Sequence, residues 1–288
     1  GHTISLNEAT AGGSWLSNNS SIATISSGGL VTGISAGTVR ISYTVINAAG
    51  CSDSVSKTII VSALPVIAPI AGPDSVCVGH TINLSEATVG GSWLSNDNGI
   101  ATISNTGLVT GISAGTVRIS YTVINAAGCS DSVSKTIIVS ALPLIAPITG
   151  PDSICVGHTI NLSEATVGGV WLSNNSGIAT ISSGGLVTGI SAGTVRISYT
   201  VINAAGCSDS VSKIITVSAL PIIAPIAGPD SVCVGHTINL SEATAGGNWL
   251  SSNSSIATIS NTGLVTGISA GTVRISYTVI NATGCSDS

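Results

Sequence analysis

The 288-residue chain has only 7% charged residues against 43% hydrophobic ones, holds 35 glycines, and lacks both Phe and Met. This composition excludes intrinsic disorder, which goes with few aliphatics and many charges, and there is no run of about 18 apolar residues to cross a membrane as a helix. A formal net charge of −5, with seven Lys plus Arg in total, excludes the clustered basic patch that a nucleic-acid partner requires.

No basic segment followed by an apolar stretch opens the chain, so no signal peptide is visible. The absence of Met marks a mature product or a stretch of something longer. Internal repetition dominates the sequence. His2, His80, His158 and His236 recur every 78 residues, as do Trp15, Trp93, Trp171 and Trp249, and Tyr43, Tyr121, Tyr199 and Tyr277. Residues 79–156 and 157–234 differ at roughly ten positions, so the copies are recent and their sameness says little about importance. Four repeats follow: 1–64 without its first strand, 65–142, 143–220, and 221–288 without its last strand. The ends are read as sampling a longer array. The alternative is that another molecule completes each end by strand donation.

In chain order, the second repeat opens with the apolar, Pro-punctuated segment from Pro65 to Pro73. Prolines favour an extended path there, and Val66, Ile67 and Ile70 are expected to pack on the domain as its first strand. Ile82 and Leu84 then alternate with Thr81, Asn83 and Ser85. Shorter apolar pieces surround Trp93, Ile100 to Ile103, and Leu108–Val109. From Thr116 to Val123 the alternation is clean, with Val117, Ile119, Tyr121 and Val123 on one face. Val133, Ile137 and Val139 form a last face, interrupted by Lys135. Gly, Asn and Ser clusters separate all of these pieces. Short strands at this spacing, with no 3.6-residue period, predict an all-β chain: a tandem array of antiparallel β-sandwiches.

The stretch from Trp15 to Tyr43, WLSNNSSIATISSGGLVTGISAGTVRISY, resembles the group 2 bacterial immunoglobulin-like domain and recurs four times. The resemblance implies immunoglobulin-like sandwiches in tandem, as in adhesins and in intimin-like and invasin-like surface proteins. The cysteines depart from the commonest family pattern and resemble those in extracellular repeat proteins of Bacteroidota.

Each of the last three repeats has one early cysteine (Cys77, Cys155, Cys233) and one late cysteine (Cys129, Cys207, Cys285), and Cys51 is the late one of the first repeat. Regular cysteines point to disulfides and an oxidising compartment. Same-repeat bonds, Cys77–Cys129, Cys155–Cys207 and Cys233–Cys285, would close loops of about 52 residues and stabilise by roughly 4 kcal/mol on the chain-entropy model. In an immunoglobulin-like order, however, the two cysteines lie at opposite poles. Pairing Thr116 with Ile137 puts Cys129 roughly 26 Å from the lower pole at 3.3 Å per residue, far beyond disulfide reach. The preferred pairs therefore join successive repeats, Cys77–Cys207 and Cys155–Cys285.

Other motifs point to chemistry more weakly. Gly111 to Gly115 matches G-x-S-x-G, but a nucleophile elbow needs a following helix, and a strand begins at Thr116. Cys77 and His80 form half a zinc site without a second half. Asp97 is one carboxylate, too few for calcium. Trp93 reads as core rather than as a sugar platform. Nothing in the sequence brings Lys135 to Asn83 for an isopeptide bond. No catalytic residue, cofactor or metal is expected. Asp followed by Ser-Val or Ser-Ile recurs, and it resembles the O-glycosylation acceptor of Bacteroidota, which implies attachment at Ser54, Ser75, Ser132, Ser153, Ser210 and Ser231.

The reading that follows is a structural segment of an extracellular surface fibre or adhesin stalk, on the cell surface or in a secreted fibre. Its expected partners are neighbouring repeats of the same or identical chains. The rivals are a module binding surface glycans through turns such as Ser17–Ser21 and Ser95–Gly99, and a self-assembling filament subunit.

Overall fold

A computed structural model describes residues 2–288, and these contain strands and turns but no helix. The chain divides into two compact units, Gly1–Ala141 and Leu142–Ser288. In the first unit the strands are β1 (Thr3–Ser5), β2 (Ser14–Ser17), β3 (Ala23–Ile25), β4 (Leu30–Gly33), β5 (Gly37–Ile46) and β6 (Ser52–Val61) of one repeat. They are followed by β7 (Ser75–Cys77), β8 (Thr81–Asn83), β9 (Ser92–Ser95), β10 (Ala101–Ile103), β11 (Leu108–Gly111), β12 (Gly115–Ile124) and β13 (Ser130–Ser140) of the next.

The second repeat is a sandwich of a three-stranded sheet, β10-β11-β8, and a four-stranded sheet, β7-β13-β12-β9. Alternation in β12 decides which side chains enter the space between the sheets. Val117 and Ile119 are buried together with Ile137 and Val139 of β13, Val76 of β7, and Leu84, Ala101 and Val109 of the facing side. Each such aliphatic side chain contributes about 1.5–3 kcal/mol on burial. Trp93 lies directly opposite Tyr121 across β9 and β12, with ring centroids 4.7 Å apart and planes tilted by 57°. That arrangement is worth about 0.5–1.5 kcal/mol beyond the buried area. The Tyr121 hydroxyl donates to the Thr88 carbonyl at 2.7 Å and accepts from the Gly91 amide at 2.9 Å. Gly91 has to be glycine, because a Cβ there would fall 2.4 Å from the Tyr121 ring.

Two expectations are corrected, the hairpin register and the place of the first strand. Thr116 pairs with Ile138, not Ile137, and Val117 with Ile137. Directly opposite residues share a face, so the buried Ile137 must oppose buried Val117. The array of antiparallel sandwiches is as expected, and the first strand of the repeat, β7, joins the edge of its sheet in parallel with β13. The Pro-rich lead-in carries no strand: Val66 is 92% exposed, while Ile70 reaches the core. Three prolines without amide hydrogens prevent a ladder from forming earlier.

In the second unit, residues 153–155, 208–218, 193–202 and 170–173 repeat the four-stranded sheet, and 159–161, 186–189 and 179–181 the three-stranded one. The first repeat differs at one edge. Its larger sheet is β2-β5-β6, and it ends at β6.

Candidate functional site

The cysteines define the most distinctive geometry in the molecule. In the second unit Cys155 ends a three-residue strand held parallel to residues 216–218, opposite Ser218. Cys285 closes a hairpin turn of the following repeat. Asn281 shapes that turn: its side-chain oxygen accepts from the amides of Thr283 at 3.1 Å and Cys285 at 3.0 Å, and its amide nitrogen donates to Ala219 of the preceding repeat at 2.8 Å. This anchor brings Cys285 Sγ to 3.9 Å from the Ser218 carbonyl, beside Cys155. A disulfide joins Cys155 to Cys285 with Cα atoms 5.7 Å apart, inside the range such bonds tolerate. Closing a loop of 130 residues stabilises by about 5 kcal/mol on the chain-entropy model.

None of the three same-repeat pairs forms. Cys129 and Cys233 are free thiols, and Cys155 is bonded to Cys285. Cys77 lies beside Ser140, whereas Cys129 precedes Ser130 at the other end of β13. Ten residues of strand separate them by roughly 33 Å. Cys77 and Cys207 are both disulfide-bonded, and Cys51 is free and exposed.

Cys129 occupies the same cradle in the first unit that Cys285 occupies in the second. Asn125 donates to Ala63 at 2.8 Å and accepts from the Cys129 amide at 3.0 Å, and Cys129 Sγ lies 4.0 Å from the Ser62 carbonyl. Asn125 and Asn281 escaped the sequence reading. Their signal is the Asn-Ala-Ala-Gly-Cys or Asn-Ala-Thr-Gly-Cys spelling, which places an Asx-type acceptor four residues before each late cysteine.

The remaining candidates are occupied locally. Ser113 donates to the Gly99 carbonyl at 2.6 Å in a turn between strands. His80 is exposed, with Nδ1 3.2 Å from the Val78 carbonyl. Asp97 accepts from the Gly99 amide at 2.9 Å within its own turn. The Lys135 ammonium is paired with the Asp74 carboxylate, while Asn83 sits in the opposite sheet across from Leu108. Trp93 packs on the core. Among the described residues no group of three or more His, Cys, Asp or Glu is placed to hold a metal ion. Ser54, Ser75, Ser132, Ser153, Ser210 and Ser231 are all exposed.

The family model of the bacterial Ig-like domain (group 2) matches residues 6–59, 81–137 and 234–285, together more than half of the chain. The Ice-binding protein 1 of Shewanella frigidimarina (strain NCIMB 400) is 26% identical over 212 residues, covering 65% of this chain; the chain spans only 23% of that protein's length. Among solved structures, invasin, a bacterial integrin-binding protein, is 16% identical over 94% of this chain and 69% of its own, with a TM-score of 0.31. Drosophila N-cadherin EC1-4 is 11% identical over 99% and 92%, with a TM-score of 0.22. At such scores neither structure carries an argument about what this chain does.

Proposed function

From a chain that belongs to the group 2 bacterial immunoglobulin-like domains, we propose a structural role: a segment of an extracellular surface fibre or adhesin stalk that supplies length and resists extension. The observation that carries this reading is the Cys155–Cys285 bond. It clips the first strand of one sandwich to a hairpin turn of the next, so force passed along the array meets a covalent bond before it meets the second sandwich's hydrogen bonds. A stable cystine of this kind also fits an oxidising compartment outside the cell. No repeat stands apart as a chemically equipped one. In the turn Ser95–Gly99, a candidate for glycan contact, three side chains are held by backbone groups: Ser95 donates to the Ala101 carbonyl at 2.7 Å, Asn96 accepts from the Arg118 amide at 2.8 Å, and Asp97 accepts from the Gly99 amide at 2.9 Å.

Single-molecule extension of the intact chain tests the reading. Under oxidising conditions the first sandwich unfolds in a force peak of its own, while the residues between Cys155 and Cys285 stay outside the force path. Reductant then lengthens the fully extended chain by at least roughly 450 Å, the reach of the residues that the cystine hides. A soft, featureless extension that reductant leaves unchanged would sink the mechanical reading. Selective capture of sugars on a glycan array would favour the adhesive one.

A further inference from the structure

Local sequence gives Cys285 no means of choosing its partner. The early cysteines stand in nearly the same surroundings, Asp-Ser-Val-Cys-Val-Gly-His at 74–80 and 230–236 and Asp-Ser-Ile-Cys-Val-Gly-His at 152–158. Chain statistics favour the wrong one: closing a loop of about 52 residues to Cys233 is roughly fourfold easier than closing 130 residues to Cys155. We propose that Asn281 is the positioning residue that makes the choice. Its bond to Ala219 docks the hairpin turn on the preceding repeat and presents Cys285 to Cys155 for oxidation. This selection operates whether or not the array bears load.

The backbone gathers both cysteines at two consecutive residues. Ser218 lies opposite Cys155, and its carbonyl accepts from the Val156 amide at 3.0 Å and lies 3.9 Å from Cys285 Sγ. The next residue, Ala219, supplies the carbonyl that Asn281 bonds at 2.8 Å. A strand ladder therefore places the early cysteine, and one side chain places the late one, with neither sulfur taking part. The Asn281 oxygen accepts from the amides of Thr283 and Cys285, so the docked carboxamide and the cysteine move as one piece. Asn125 makes the same bond to Ala63 at 2.8 Å in the first unit, so the anchor belongs to the joint rather than to one pair. Burial then sets the order of the chemistry. Cys285 is 1% exposed, whereas Cys155 is half-buried and can be reached from solvent. The oxidant is a small disulfide such as oxidised glutathione. The Cys155 thiolate attacks it, forming a mixed disulfide and releasing one glutathione thiolate. The Cys285 thiolate next attacks the Cys155 sulfur. The Cys155–Cys285 bond forms, the second glutathione leaves as thiolate, and both thiolates take up protons. Two cysteines are oxidised and one glutathione disulfide is reduced. Docking turns the second attack into a reaction between groups already side by side.

The test uses the intact chain, reduced without denaturant and equilibrated in mixtures of reduced and oxidised glutathione. Peptide mapping of the linkages gives the effective concentration of Cys285 at Cys155. Asn281→Asp is the diagnostic variant: it keeps the oxygen that shapes the turn and has no hydrogen to give Ala219. The expected result is an effective concentration at least about tenfold lower, with Cys233–Cys285 rising at the expense of Cys155–Cys285. Amide exchange around Val265, in the core of the fourth repeat, stays as it was. A second measurement needs no variant. In the reduced, unsubstituted chain labelled with nitrogen-15 at asparagine, the Asn281 carboxamide hydrogen that faces Ala219 remains slow to exchange. Should Asn281→Asp loosen the fourth repeat, this measurement decides alone. An Asn281→Asp chain that folds and pairs its cysteines as the unsubstituted one does would overturn the proposal, since Asn281 would then shape only its own turn. So would loss of the carboxamide protection on reduction, because the cystine would then be holding the anchor.

Discussion

The Tyr121 hydroxyl satisfies two backbone groups from one loop, the Thr88 carbonyl and the Gly91 amide, while its ring packs at a tilt against Trp93. Tyr121→Phe keeps the ring and removes both bonds. The expected cost is about 2 kcal/mol, because two part-buried backbone groups lose their partner. The loss should stay within the second repeat, since each sandwich has its own core. Native-state hydrogen exchange reads it directly: the Val117 and Ile119 amides exchange faster, and their counterparts Val195 and Ile197 do not. Equal acceleration in both repeats would show the sandwiches unfolding as one body. At this scale the sequence was informative about identity and silent about geometry. Trp, Tyr and Cys at fixed spacing marked core and disulfide residues. The Asn125 and Asn281 anchors depend on a carbonyl of the preceding repeat, and no local pattern encodes that contact.

Strands with strict alternation were legible almost to the residue. β12 spans Gly115–Ile124, where the pattern places Thr116–Val123. The one-residue register difference with β13 arises because hairpin register follows the five-residue turn from Asn125 to Cys129, whereas the face that each side chain takes follows burial. β7 was the hard case. It has three residues, it pairs in parallel, and its partner lies more than sixty positions away, so neither periodicity nor turn chemistry announces it. Its attachment rests on the burial of Val76 and a few backbone bonds. Val76→Asp would place a charge among Val139 and its neighbours, so β7 should detach while the antiparallel β12–β13 ladder survives. The amide of Ile138, which donates to Asp74, then exchanges at least a hundredfold faster, a shift worth about 2.7 kcal/mol. The amides of β12 change little. If β12 melts with β7, the edge strand is an integral part of the sandwich rather than an added one.

For the molecule as a whole, stability has to come from aliphatic burial and covalent clips, because there is little charge to work with. Charged residues are 7% of the chain, and the ion pair between Lys135 and Asp74 leaves Asp74 largely exposed. Exposed pairs contribute about 0–1 kcal/mol and fade as salt screens them. One kcal/mol moves the melting midpoint of a domain this size by roughly 4–8 °C. Raising sodium chloride from low to molar concentration should therefore shift the thermal midpoint by less than about 8 °C. Sodium sulfate, which strengthens apolar burial by its exclusion from protein surface, should raise it clearly. The surface gives sulfate an additional target. Val66, Leu144 and Ile222, at the same position in each of the last three repeats, are each more than nine-tenths exposed, and a surface this apolar is driven to associate as salting-out strengthens. The two effects separate by concentration: the midpoint rises at every protein concentration, whereas association grows as the protein is concentrated. Circular dichroism melts at two protein concentrations in each salt make the distinction. A midpoint that falls steeply in sodium chloride would mean that charge, rather than the aliphatic core, holds the sandwiches together.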